Sequence, residues 1–269
     1  MDEEAWRTPR EGGRTTEHAR SVPAAERAAT LPDSVRLALW FSAWCEGGAS
    51  LDAARDRIVA GDAAHDVVGL PGHTDTVPLI LALGVLRAER ASGAGLALPE
   101  PGDPTGLGGP PAFNADALEA GEAVVLRGVD LGLVPVRAGA GVVWRCLPAN
   151  EHRQVPDLAE ADTGLRMALP RAADELAALD VARWRPQVAD ELMALRRPQE
   201  LPVPDGMDPR AQRMLALGTR CRAIVELALA DDGGALAAAE ADRRRQALVP
   251  LDRAARRAVV AACSAPFGR

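Results

Sequence analysis

Apolar positions along the chain switch between two periods, and the switches mark out its elements. Leu37, Trp40, Phe41 and Trp44 fall at i, i+3, i+4 and i+7. That spacing predicts a helix over Val35–Glu46, with Asp33 or Ser34 as cap and the pair Gly47, Gly48 as stop. Ser50 caps a second helix, Leu51–Val59, the return arm of a helical hairpin. Val67–Leu70 reads as a short strand. Val77–Ala91 reads as a helix with Leu79, Leu83 and Leu86 on one stripe, closing at Gly93.

The period then shortens. Leu96–Pro99 is compatible with a buried strand. The loop Glu100–Pro111 follows, with four prolines and four glycines that can shape it without helix or strand. Asn114 is a candidate N-cap for a helix over Ala115–Ala120, ended by Gly121. Glu122–Arg127, Leu131–Arg137 and Val142–Leu147 form an antiparallel meander joined by glycine-containing turns. In its last strand Val142, Trp144 and Cys146 share one apolar face. Pro135 cannot donate to a ladder, which points to an edge or a bulge.

After Pro148 the helical period returns. Asp157 and Glu160 resemble a capping box before a long pattern from Leu158 to Leu179, with a kink expected at Pro170. A helix over Gln187–Arg196 and a proline-rich connector, Leu201–Gly206, come next. Asp208 and Pro209 are a good N-cap and first helical residue for a stripe of Met214, Leu217, Cys221, Ile224 and Ala228. Two shorter helices, Ala235–Ala247 and Leu251–Cys263, complete the pattern. The predicted class is α+β. A small, mostly antiparallel sheet with helices against one face occupies residues 31–150, a helical half (151–269) packs on it, and a tail (1–30) without apolar period is expected to be disordered.

Composition narrows the chemistry. All 31 basic residues are arginine, so Schiff-base and P-loop lysine chemistry are excluded. The four cysteines (45, 146, 221 and 263) lie far apart and read as reduced core thiols, which with the lack of a signal segment or a long apolar run predicts a cytoplasmic protein. Residues 1–208 carry 20 Arg against 32 Asp and Glu, and residues 209–269 carry 11 against 6. Arg243–Arg245, Arg253, Arg256 and Arg257 thus make a basic helical tail. No aromatics or nucleic-acid module accompany them, so a solvated helical face is the stronger expectation. The loop 101–111 matches no phosphate-binding pattern but can shape a pocket. Asp103, Gly106, Gly108 and Asn114 are its candidate ligand-binding residues.

Two resemblances add to this. VGLPGHTDTV (Val68–Val77) followed by Pro78 resembles the first metal-binding signature of dinuclear zinc hydrolases of the aminoacylase and acetylornithine-deacetylase type. It implies a metal ligand at His73 and an orienting carboxylate at Asp75. Beyond these ten residues the family's pattern has no match: Asp103 is only a loose stand-in for the bridging aspartate, and the last histidine is His152. Separately, LALWFSAW, VVGLPG, LALPEPGDPTGLGGPPAFN, ALEAGEAVVL, ARWRP and CRAIVELALADDGGALAAAEA look like an uncharacterised family of GC-rich actinobacteria, over about residues 33–264. That resemblance implies a shared fold and no particular chemistry. The leading functional expectation is a non-enzymatic binding or regulatory protein with a protein or small-molecule partner and no cofactor. A metal-dependent amide hydrolase using His73 and Asp75 is second, and a nucleic-acid contact through the basic helices third.

Overall fold

The computed structural model describes residues 31–178, 195, 200–230 and 238–265. The tail 1–30, Trp184 and nearly all of the expected helix 187–196 lie outside them. Seven helices and six strands are described: α1 (Asp33–Cys45), α2 (Leu51–Val59), β1 (His65–Val68), β2 (Val77–Pro78), α3 (Leu79–Ala88), β3 (Gly93–Ala97), α4 (Pro111–Ala120), β4 (Ala123–Arg127), β5 (Leu131–Ala138), β6 (Gly141–Pro148), α5 (Leu158–Ala178), α6 (Pro209–Ala230) and α7 (Ala238–Ser264). The strands form one sheet in the order β2-β1-β6-β5-β4-β3. Every neighbouring pair is antiparallel except β1 with β6, so the fold is α+β with a mixed, mostly antiparallel sheet.

The meander is β4–β6. Within β6 the apolar face of Val142, Trp144 and Cys146 is buried in the main core, as its alternation requires. Pro135 sits opposite Trp144, while β4 pairs with β5 only at Gly132 and Leu133. At Pro135 the strand therefore has a neighbour on one side, which suits a residue without an N–H. The sheet is covered on both faces rather than one. Val124, Leu126 and Leu133 face the main core, whereas Val125 and Val134 meet Phe113 and Ala117 of α4 in a second cluster.

Helix α1 is buried from Asp33 to Ala43, around its whole circumference. Its N-cap is Pro32, because Asp33 and Ser34 are occupied elsewhere: Asp33 with Arg36 and Arg137, Ser34 with Glu122. Helix α4 starts at Pro111 with Pro110 as cap, not at Asn114. Proline suits the first helical position because its missing N–H would be an orphan there anyway. The expected helix from Val77 begins only at Leu79, since Val77 and Pro78 pair with Val67 and Asp66 of β1. Strand β3 precedes the expected one and reads GAGLA, small residues whose sequence carries little β-signal.

In the C-terminal half, Asp157 accepts from the N–H groups of Ala159 and Glu160, and Asp208 from those of Arg210 and Ala211. Helix α7 runs through Pro250 as one element where two were expected. The lost hydrogen bond is offset by packing on both sides of the proline, where Leu248, Leu251 and Ala255 are all buried.

Candidate functional site

Strand β3 is a buried edge, and the carbonyls it leaves without a strand partner decide what is built beside it. Beyond the strand, the Leu98 N–H donates to Thr105 O, folding the loop 100–110 back along the edge, and Glu100 and Asp103 exchange backbone hydrogen bonds at its tip. Asp103 anchors this tip to α7. One carboxylate oxygen lies 2.9 Å from Arg256 Nη2 and 3.3 Å from Arg253 Nε, and the other accepts from the Thr105 hydroxyl. Arg256 is buried and also reaches Leu98 O, Asp252 and Glu100.

The chain after β6 runs beside the same loop. Asn150 donates its backbone N–H to Gly109 O and its amide to Gly108 O. Asn114 accepts from the Gly109 N–H. Arg153 then crosses beneath the loop, and its Nη1 donates to Leu96 O at 2.8 Å and Gly106 O at 2.6 Å. The glycines make this possible. A Cβ at Gly95 would lie 2.0 Å from Arg153 Nη2, one at Gly106 would lie 2.6 Å from Leu96 O, and one at Gly108 would lie 2.9 Å from Arg153 Cβ.

Above Arg153 lies a cleft of about 1020 Å³ lined by residues 103–108 and 152–156, with Glu160 of α5 and Arg257 of α7 at its margin. Both contacts of Arg153 are to neutral carbonyls, and among the described residues no carboxylate pairs with it. Burial, and after it the Arg127 guanidinium, push its pKa down to about 10. It remains a cation at neutral pH, faced by the partial negative charge of two carbonyls.

The four residues expected at the loop divide by role. Gly106 and Gly108 admit the Arg153 side chain, Asn114 braces the turn at Gly109, and Asp103 is turned toward α7. Arg153 itself was not foreseen. Its one trace in the sequence is the alternation Gly93, Ala94, Gly95, whose Cβ-free face is where Arg127 and Arg153 lie.

A second polar cluster joins α1 to the sheet. Oxygens of Asp33 and Asp62 and a ring nitrogen of His65 lie within 4.8 Å of one another, the one such group of three potential metal donors among the described residues. The donors are already committed. Arg36 and Arg137 each pair with both aspartates. His65 Nδ1 accepts from the Trp144 indole at 3.2 Å, so Nε2 carries the proton and donates to Asp62 at 3.0 Å. Burial would raise the Asp62 pKa, but hydrogen bonds from His65, Arg137 and Arg36 outweigh it and hold the carboxyl at about 2. Guanidinium groups occupy the space a cation would need.

His73 and Asp75 are both exposed, in the turn between β1 and β2. The His73 ring faces Pro71 O at 3.0 Å, and neither residue belongs to the donor cluster. Gly69 and Gly72, at positive φ, shape this turn. Among the described residues no further metal donors gather around His73 and Asp75, and the zinc-hydrolase resemblance is not supported. The cysteines offer no activated nucleophile: all are free, and burial pushes Cys45, Cys146 and Cys221 up to about 11 and Cys263 higher still. In the basic tail Arg245 pairs with Asp242, Arg253 with Asp103 and Arg257 with Glu160.

Comparison with known proteins agrees with the expected actinobacterial kinship. The chain is 30% identical over 280 residues to "Uncharacterized protein Rv1486c" of Mycobacterium tuberculosis (strain ATCC 25618 / H37Rv), a match covering 86% of this chain and 96% of that protein. It is 29% identical over 199 residues to "Uncharacterized protein MAV321" of Mycobacterium avium, covering 58% of this chain and 65% of the relative. No solved structure matches it. Residues 34–160 match the N-terminal domain of the Rv1486c-like proteins and residues 159–260 their C-terminal domain. The chain belongs to the Rv1486c-like protein family.

Proposed function

We propose that this chain is a non-enzymatic, cytoplasmic binding protein whose ligand presents an anionic group to Arg153 in the cleft beside the loop 100–110. One observation carries the reading: an arginine lining the cleft, its guanidinium clasped by the Leu96 and Gly106 carbonyls, with no carboxylate partner among the described residues. A partly buried charge of this kind is costly unless something compensates it, and an anion entering the cleft would do so with charge-assisted hydrogen bonds. Gly106, Gly108 and Asn114 fix the loop that clasps the arginine, and Asp103 ties that loop to α7. Thr105 donates to Asp103, but that carboxylate is held by Arg253 and Arg256 and is a poor base, so the reading is of binding rather than catalysis.

The test is calorimetric titration with inorganic phosphate and with acetate at low salt. Saturable binding is expected, weakened roughly 10- to 100-fold in Arg153→Gln, as loss of hydrogen bonds from a charged group implies. Gly95→Ala displaces the guanidinium without touching its charge and should weaken binding as well. Equal affinity in the wild type and in a folded Arg153→Gln would overturn the proposal, as would failure of both anions to bind.

A further inference from the structure

The anion cleft has a neighbour at Arg257. Glu160 and Arg257, paired at 3.2 Å, line both it and a second groove of about 830 Å³ between α5 and α7. The character changes across that pair. Beyond it the groove wall is formed by Gly164, Met167 and Ala168 of α5 with Val249, Pro250 and Ala254 of α7. Met167 is 55% exposed and Val249 50% exposed, so two large apolar side chains stand open on facing helices. Water-exposed apolar side chains gathered in a groove mark a place for an apolar ligand. At its rim Arg257 pairs with Glu160 and Arg253 with Asp103, which leaves the charge of Arg171 in excess.

We infer that the ligand is an anionic amphiphile, a free single-chain fatty carboxylate, with its head group at Arg153 and its chain in the α5–α7 groove. This rests on the anion-binding reading above. The two cavities adjoin at the Glu160–Arg257 pair, which lines both, so a ligand with its head in one would lay its chain past that pair into the other. The charge that Arg171 leaves in excess at the groove rim favours an acid over an amine of the same length. From Glu160 to Arg171 the helix rises about 16 Å, which calls for an extended chain rather than a compact ring.

The experiment compares acetate, hexanoate, decanoate and dodecanoate, each below its micelle-forming concentration, in calorimetric titrations of the full chain. Affinity should rise about fourfold for each added methylene that enters the groove. Gly164→Leu is the discriminating variant. A Cβ at Gly164 meets nothing within 4 Å, so the new side chain fills the groove without displacing the fold. It should abolish the gain with chain length and leave acetate binding unchanged. Val249→Asp, which puts a carboxylate into the groove, should do the same.

If short anions bind through Arg153 with no gain in chain length, the amphiphile inference falls and the anion site stands. The inference also falls if the gain survives Gly164→Leu, or if dodecylamine binds as tightly as dodecanoate. Two further results would overturn it: binding to anionic vesicles without binding to monomeric decanoate, and a Gly164→Leu effect on self-association alone. If no anion binds, both readings fall together.

Discussion

At the scale of single residues the loop 100–110 is ruled by what glycine lacks. Gly102 and Gly106 have similar backbone conformations, with φ of +81° and +84°, but a Cβ at Gly102 meets nothing within 4 Å and one at Gly106 meets Leu96 O at 2.6 Å. Gly102→Ala should therefore cost only the left-handed conformation, roughly 1–2 kcal/mol. Gly106→Ala should cost that and an overlap with backbone that cannot turn aside, and it should weaken anion binding where Gly102→Ala does not. Urea denaturation of the two variants, with a phosphate titration of each, checks this; equal losses would mean that the close approach at Gly106 does not matter. The importance of these glycines was legible, because a run of glycine and proline between regular elements must do something with its backbone. Arg153 was not. Its significance depends on the Leu96 carbonyl 57 positions earlier and on having no carboxylate partner among the described residues, neither of which a local pattern can express.

At the scale of elements, helices with a cap and a clean stripe were readable and small-residue elements were not. Ser50, Asp157 and Asp208 cap where the sequence expects caps, accepting from the first turn. Strand β3 was misplaced because Gly93, Ala94 and Gly95 are poor strand formers; only pairing with β4 makes them one. The break expected at Pro250 failed for the opposite reason, since tertiary burial overrides one weak link in α7. Two helical glycines turn the same point into a prediction of sign. Gly164 on α5 faces open space, whereas a Cβ at Gly218 on α6 would lie 2.8 Å from Val259 Cγ2 and 3.1 Å from Ala255 O of α7. Gly164→Ala should stabilise by about 1 kcal/mol, the helix-propensity difference. In Gly218→Ala that gain meets an overpacking cost of about 1–3 kcal/mol, so its melting temperature should fall while that of Gly164→Ala rises. A rise in both would show that α6 and α7 are not held at the close approach seen here.

At the scale of the whole molecule, the two-sided sheet is fastened to its buried helix by charge as well as by apolar packing. Asp33 and Arg36 on α1, Asp62 and His65 before and within β1, Arg137 on β5 and Trp144 on β6 make one connected network, and Ser34 ties α1 to Glu122. The apolar stripe of α1 predicted its burial, but the network was illegible because Asp33 and Arg137 stand 104 positions apart. Its energetics follow from protonation. Burial lowers the His65 pKa, though Asp62 opposes the shift. The unfolded chain therefore takes up a proton near pH 6.5 that the folded chain refuses. Stability from this group is present above that pH and is lost as pH falls below it. Asp62, held at about 2, adds a loss of the same sign only below about pH 4. Glu122 has the opposite sign: burial raises its pKa, so its contribution fades as pH rises through the folded value. Comparing wild type with His65→Gln cancels the Glu122 contribution common to both and isolates the histidine. Below pH 6.5 the wild type should lose stability more steeply than the variant, by at most one proton's worth, about 1.4 kcal/mol per pH unit. Urea denaturation across that range gives both curves directly. Parallel curves would mean that His65 is protonated inside the fold, and that the Trp144 indole does not find its acceptor there.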